Sequence, residues 1–93
     1  MIKSFGDKNT EKIFNREKIN KIPEDLQRLA LRKMTLLNAV VRLGDLKVPP
    51  GNHLEKLKGD RKGQYSIRVN DQYRICFKWQ DSNCFDVEMV DYH

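Results

Sequence analysis

The side chains best equipped for chemistry fall in two stretches. Lys56-Leu57-Lys58-Gly59-Asp60-Arg61-Lys62-Gly63 packs four cations around two glycines just before a run of alternating residues, and Asp91-Tyr92-His93 gathers an acid, a phenol and an imidazole at the far end of the sequence. Such groups can cleave an RNA phosphodiester. A base must take the proton from a 2′-hydroxyl, an acid must protonate the departing 5′-oxygen, and cations must stabilise the charge growing on the phosphoryl oxygens. That scheme uses no metal. Lys58 and Arg74 can supply the charge, Arg74 as a planar fork and Lys58 as a point charge. His53, Glu55, Asp91 and His93 are the candidate proton carriers, imidazole being the group that ordinarily titrates nearest neutrality. Tyr65, Tyr73 and Tyr92 are candidate surfaces for stacking an unpaired base. The plainer readings are a solvated turn for the first stretch and a frayed end for the second.

Several familiar constellations are missing. The sequence contains no GxGxxG or GxxxxGK[ST] phosphate loop, no HExxH and no nucleophile elbow, and Lys58–Gly63 precedes an alternating run rather than a helix. Cys76 and Cys84 have neither CxxC spacing nor histidines close by, so both read as reduced thiols, and no metal or other cofactor is expected.

These groups must be positioned by one small domain, residues 1–93, of which 39% is hydrophobic and 33% charged, a globular balance. A chain of this size buries only roughly 60–65% of its unfolded surface, so its core is thin. No apolar run reaches the ~20 residues of a membrane span, and Met1–Phe5 does not begin a secretory signal. A cytoplasmic location is the expectation. Charge is uneven: residues 1–53 hold eleven Lys/Arg against six acids, residues 54–80 seven against three, and residues 81–93 none against four. A basic body suits a polyanionic partner, because phosphate contacts release counterions.

The elements follow from periodicity. Met1–Phe5 is a short strand candidate, and Asp7 to about Lys18 reads as a helix anchored by Ile13 and Phe14. Pro23-Glu24-Asp25 opens a second helix with a proline and two acids in its first turn. Leu26, Leu29, Ala30, Met34, Leu37, Val40 and Val41 recur at helical spacing, with Leu36 and Leu43 beside them and Gly44 as C-cap. Val48-Pro49-Pro50-Gly51-Asn52 is a connector that breaks the helical pattern. The period then becomes two: Tyr65, Ile67 and Val69 form one apolar set, Tyr73, Ile75, Phe77 and Trp79 another, and Phe85, Val87 and Met89 a third beyond the Asp81-Ser82-Asn83 turn. A three-residue loop, Asn70-Asp71-Gln72, pairs Val69 with Tyr73 and Ile67 with Ile75, keeping both apolar sets on one face. Arg68 then lies opposite Arg74, with Ser66, Cys76 and Lys78 on a polar, basic face open to a ligand. The fold class expected is α+β, an N-terminal strand and two helices packed on one face of a small antiparallel sheet.

The segment PPGNHLEKLKGDRKGQYSIRVNDQYRICFKW, residues 49–79, together with the closing DYH, resembles the HigB (plasmid maintenance killer) toxins of the RelE/ParE superfamily. The resemblance spans nearly the whole chain. It implies a RelE-like fold and a ribosome-dependent, metal-independent mRNA endoribonuclease (interferase) that cuts message in the ribosomal A site and so inhibits translation. The implied partners are a HigA-like helix-turn-helix antitoxin, the ribosome with its 16S rRNA and mRNA, and operator DNA only through the antitoxin complex; no membrane is implied. Matched to the family's motifs, the lysine of LKGDR is Lys58, the strand arginine is Arg74, and the closing triad is Asp91, Tyr92 and His93. Some members have a histidine where this chain has Glu55, so the general base is left among Glu55, His53 and Asp91, and slower cleavage than in a histidine-bearing relative is expected. His93 is the candidate general acid, Asp91 orients it or shares the proton work, and Tyr92 stacks on the base. Lys56, Arg61, Lys62, Arg68 and Lys78 are the candidate RNA- and ribosome-binding cations. Two other functions compete: a ParE-like DNA gyrase inhibitor, and a non-catalytic module that binds antitoxin or RNA.

Overall fold

A computed structural model describes residues 1–92. Two helices, α1 (Lys8–Phe14) and α2 (Glu24–Ala39), precede four strands, β1 (Glu55–Lys56), β2 (Tyr65–Arg68), β3 (Tyr73–Gln80) and β4 (Asn83–Asp91). The strands form one antiparallel sheet in the order β1-β2-β3-β4. Both helices lie against one face. Ile13, Leu26, Ala30, Met34 and Leu37 meet Ile67, Val69, Ile75, Phe77, Cys84 and Val87 in a single core.

Helix α1 is shorter than the pattern suggests. Asp7 caps it by accepting from the Thr10 N–H at 2.7 Å. Arg16, at φ 64°, then ends it: the Arg16 N–H reaches the Ile13 carbonyl and the Glu17 N–H the Lys12 carbonyl, both helix-closing bonds of a left-handed cap. Thr10 is buried, and its hydroxyl accepts from the Met89 N–H at 2.9 Å, which docks α1 on β4.

Helix α2 stops at Ala39 rather than running to Gly44. Val40 is extended, Val41 is 66% exposed instead of packed, and Leu43–Lys47 forms a 3₁₀ turn that buries Leu46. The β-branched pair Val40-Val41 gives little resistance to leaving the helix, and burying Leu46 rewards the turn.

The N-terminal segment runs along β4 in parallel, as two isolated bridges, Ile2 with Cys84 and Phe5 with Val87. Between them β4 bulges. Asp86 sits at φ 53°, its N–H donating to the Ser4 hydroxyl at 2.8 Å, and the β3–β4 register shifts between Cys76 and Lys78. The extra residue changes strand parity. Cys84 and Val87 therefore enter the core, and Phe85, expected on the apolar face, does not.

The β2–β3 hairpin has the expected register: Ile67 pairs with Ile75, Ser66 with Cys76 and Arg68 with Arg74. Asn70 sets it, its side-chain oxygen accepting from the Gln72 and Tyr73 N–H groups at 2.9 and 2.8 Å. The β3–β4 turn is one residue tighter than expected, Asp81 and Ser82 both at positive φ, as a two-residue hairpin loop requires.

Both thiols are sealed. Burial pushes the Cys76 thiol up, and pushes Cys84 up to about 11. Native protein at pH 8 is expected to leave both unreactive toward a chromogenic disulfide reagent over minutes, and denatured protein to release two equivalents. A native thiol reacting at the denatured rate would contradict this packing.

Candidate active site

The face away from the helices is not uniformly open. Ser66 and Cys76 are fully buried there and Arg74 is only 7% exposed. A guanidinium removed from water must have its donors satisfied, and Arg74 is held from three sides. Its Nε donates to the Ser66 hydroxyl at 2.7 Å, and Nη2 donates to the His53 carbonyl and, at 3.3 Å, to the Ser66 carbonyl. Its Cζ lies 5.4 Å from the centre of the Tyr92 ring, a cation–π distance.

Nη1 is different. It lies 3.8 Å from the Glu55 carboxylate, an ion pair too long for a hydrogen bond. Among the described residues Arg74 thus places Nε and Nη2 in hydrogen bonds to the protein, while Nη1 makes none and faces Glu55.

The backbone explains this arrangement. Glu55 on β1 pairs with Ser66 on β2, which pairs with Cys76 on β3, so Glu55 and Ser66 are brought to Arg74 by register alone. Like charges on facing residues repel, and each arginine of the Arg68–Arg74 pair has a carboxylate of its own: Asp71 for Arg68, Glu55 for Arg74. His53 takes part through its carbonyl. It adopts a left-handed conformation, φ 44°, at the end of a short 3₁₀ turn, Pro50–Asn52, and its ring is exposed.

The remaining predicted residues fall around this centre. Tyr92, from the end of β4, stacks on Arg74 and is about half exposed. Asp91 pairs with Tyr73, whereas Arg74 pairs with Val90, so strand alternation turns Asp91 to the other face, where it accepts from the Gln72 amide at 2.9 Å. His93 lies outside the described residues. Lys58 makes no hydrogen bond or ion pair with the Arg74 cluster. It is exposed at the start of the Gly59–Arg61 3₁₀ turn and lines a concavity of about 470 Å³ with Lys56, Leu57, Gly59 and Lys62. Gly59 and Gly63 supply the positive φ values this loop needs, 64° and 93°.

The predicted binding cations divide into two groups. Arg61 reaches Glu88 at 3.0 Å and Gln64 at 3.1 Å, Lys78 reaches Asp86 at 3.2 Å, and Arg68 holds Asp71. Lys56 and Lys62 are exposed, and among the described residues neither has a carboxylate partner. Both of these predicted binding cations line the concavity that holds Lys58.

Two residues were missed by sequence reasoning. Asn52 is fully buried, its amide donating to the Leu46 and Val48 carbonyls at 3.1 and 3.3 Å and its oxygen accepting from Lys33 Nζ. Lys33, on α2, has its pKa lowered by burial first and then by Arg32 and Arg68. An asparagine in PPGN reads as a turn former, and no local pattern announces its burial. Among the described residues no group of three or more His, Cys, Asp or Glu side chains could hold a metal ion, and no helix is long and apolar enough to cross a membrane.

Comparisons with known proteins agree with this architecture. Residues 3–93 match the family model for the RelE-like toxin of type II toxin-antitoxin system HigB. The chain is 42% identical to Toxin HigB-1 of Vibrio cholerae over 87% of its length and 86% of the relative's. It is 31% identical, over the full length of both, to Endoribonuclease HigB of Proteus vulgaris. Among solved structures, a point mutant of YafQ from E. coli superposes with a TM-score of 0.65 at 17% identity, covering 99% of this chain and 92% of that one. The YoeB–YefM toxin-antitoxin complex from Staphylococcus aureus contains a chain that superposes at 0.63 and 22% identity, covering 100% and 95%. The buried strand arginine with its β1 carboxylate, the two helices on one face of the sheet and the whole-chain family match lead to one conclusion: this chain belongs to the HigB family of RelE-like toxins of type II toxin-antitoxin systems.

Proposed function

We propose that this protein is a metal-independent endoribonuclease that cleaves messenger RNA in the ribosomal A site and is neutralised by an antitoxin. The observation that carries the reading is Arg74, a nearly buried guanidinium whose Nη1 makes no hydrogen bond among the described residues and lies 3.8 Å from Glu55. The Proteus vulgaris relative, named as an endoribonuclease, supports the same chemistry.

In this mechanism Nη1 of Arg74 holds a non-bridging oxygen of the scissile phosphate. Because the other donors are already fixed on Ser66 and His53, little reorganisation accompanies the growth of negative charge. Lys58, in the lysine-lined concavity, adds a second positive charge when the phosphate enters. Glu55 is the proposed base for the 2′-hydroxyl proton, with the His53 ring as the alternative. The 2′-oxygen attacks phosphorus, the bond to the 5′-oxygen breaks, and His93 protonates that oxygen, leaving a 2′,3′-cyclic phosphate. Tyr92 offers a ring to an unstacked base while its other face covers Arg74. The aromatic and cationic surface selects single-stranded RNA, and the ribosome presents it.

The antitoxin partner follows from the family, and a HigA-like helix-turn-helix protein that carries the toxin to operator DNA is the form proposed. Such a partner need not enter the Arg74 site, because bulk that blocks entry to the ribosome suffices. The cell interior, where ribosomes are, is the corresponding location.

Primer extension on a reporter mRNA in a translating bacterial extract tests the reading. Cuts within codons that require ribosomes are expected, and Arg74→Ala and Lys58→Ala should each lower cleavage by about 100-fold or more. Intact mRNA with translation still running would reject the reading and direct the test to DNA gyrase. The unpaired lysines give a separate expectation: Lys56→Ala or Lys62→Ala should weaken ribosome binding and lower the salt slope by about one, leaving cut positions unchanged. Arg68→Ala and Lys78→Ala, whose charges are already matched by Asp71 and Asp86, should change the slope less; equal effects at all four positions would show that the ion pairs open on binding.

A further inference from the structure

The residue before the carbonyl that orients Arg74 is held by helix α2. His53 offers that carbonyl from a left-handed conformation, immediately after the fully buried Asn52. Both donors and the oxygen of the Asn52 amide are engaged: the donors hold the Leu46 and Val48 carbonyls, and the oxygen receives Lys33 Nζ from α2. A continuous chain therefore runs from the helical layer to the guanidinium through Lys33, Asn52, the His53 carbonyl and Arg74 Nη2. A shift of the connector would move the His53 carbonyl, and Arg74 Nη2, bonded to it, would follow. A fork anchored at Nε and Nη2 presents Nη1 in one direction only while both anchors stay in place.

We infer that Lys33 and Asn52 are positioning residues for catalysis, fixing the His53 carbonyl so that Arg74 presents Nη1 to the scissile phosphate. The rate readout of this inference rests on the endoribonuclease reading; its structural readout does not. Lys33 touches no substrate in this account. Its loss should leave ribosome affinity alone and lower the turnover of bound toxin, because small misplacements of a charge-stabilising group cost roughly ten- to a hundred-fold in rate.

The test compares wild type, Lys33→Met and Lys33→Arg in two measurements made well below the melting temperature of each. The first is single-turnover cleavage on programmed ribosomes, resolved into a maximal rate and a half-saturating toxin concentration. The second is solvent exchange of the Arg74 Nε–H proton by NMR, which reports the Ser66 bond. Lys33→Met should lower the maximal rate about ten-fold, leave half-saturation unchanged and speed Nε–H exchange, and Lys33→Arg, which can still donate to Asn52, should restore both. A Lys33→Met protein with wild-type rate and exchange, or one changed in half-saturation alone, would overturn the inference. If wild type itself does not cleave, the functional reading fails and the exchange measurement alone decides. If Lys33→Met does not fold, Asn52→Asp takes its place: it keeps the acceptor for Lys33, loses both donations to the Leu46 and Val48 carbonyls, and should give the same slowed rate and faster exchange.

Discussion

The burial of one guanidinium organises this protein. Arg74 lies in a sheet interior position at 7% exposure, where an unpartnered charge would cost several kcal/mol. The surrounding structure answers that cost group by group. The Ser66 hydroxyl arrives through the β2–β3 register, Glu55 through the two-residue strand β1, the His53 carbonyl through a left-handed residue after the connector, and the Tyr92 ring from the end of β4. Each comes from a different element, so the site exists only when the sheet, the connector and the helix behind it are all in place. Function and folding are coupled through the same residue.

That coupling also explains the basic surface. The high net charge suggests an open polycationic face, yet Arg61, Arg68 and Lys78 are each turned onto a carboxylate, whereas Lys56, Lys58 and Lys62, which line one concavity, have no carboxylate partner among the described residues. Arg61 in particular ties the lysine-bearing loop to β4 through Glu88. Part of the charge in this segment thus holds the loop in place, and Lys56, Lys58 and Lys62 face the solvent.

Much of this was legible in the sequence wherever the determinant is local. Helix α2 follows from Leu26, Ala30, Met34 and Leu37, and the facing of Arg68 and Arg74 follows from two period-two runs joined by Asn70-Asp71-Gln72. What escaped depends on distant contacts. The helical period continues through Val41, but the chain leaves the helix at Val40 because Leu46 can be buried by turning back. The β4 bulge at Asp86 answers to Ser4, more than eighty positions away in the chain, and it exchanges Phe85 for Cys84 in the core. Asn52 is a turn residue by type and a buried crosslink by position. At the site itself, residue types pointed to Arg74, Glu55 and Tyr92, but the division of the arginine into anchored and free edges is a property of three-dimensional geometry.

The most direct measurement of the central claim is single-turnover cleavage on programmed ribosomes by Arg74→Lys beside Arg74→Ala. A lysine keeps the charge but cannot hold Ser66 and His53 while also presenting a separate donor pair to the phosphate. The account predicts that the two variants fall to the same low rate. A lysine variant retaining most of the wild-type rate would show that charge alone is sufficient and would contradict it.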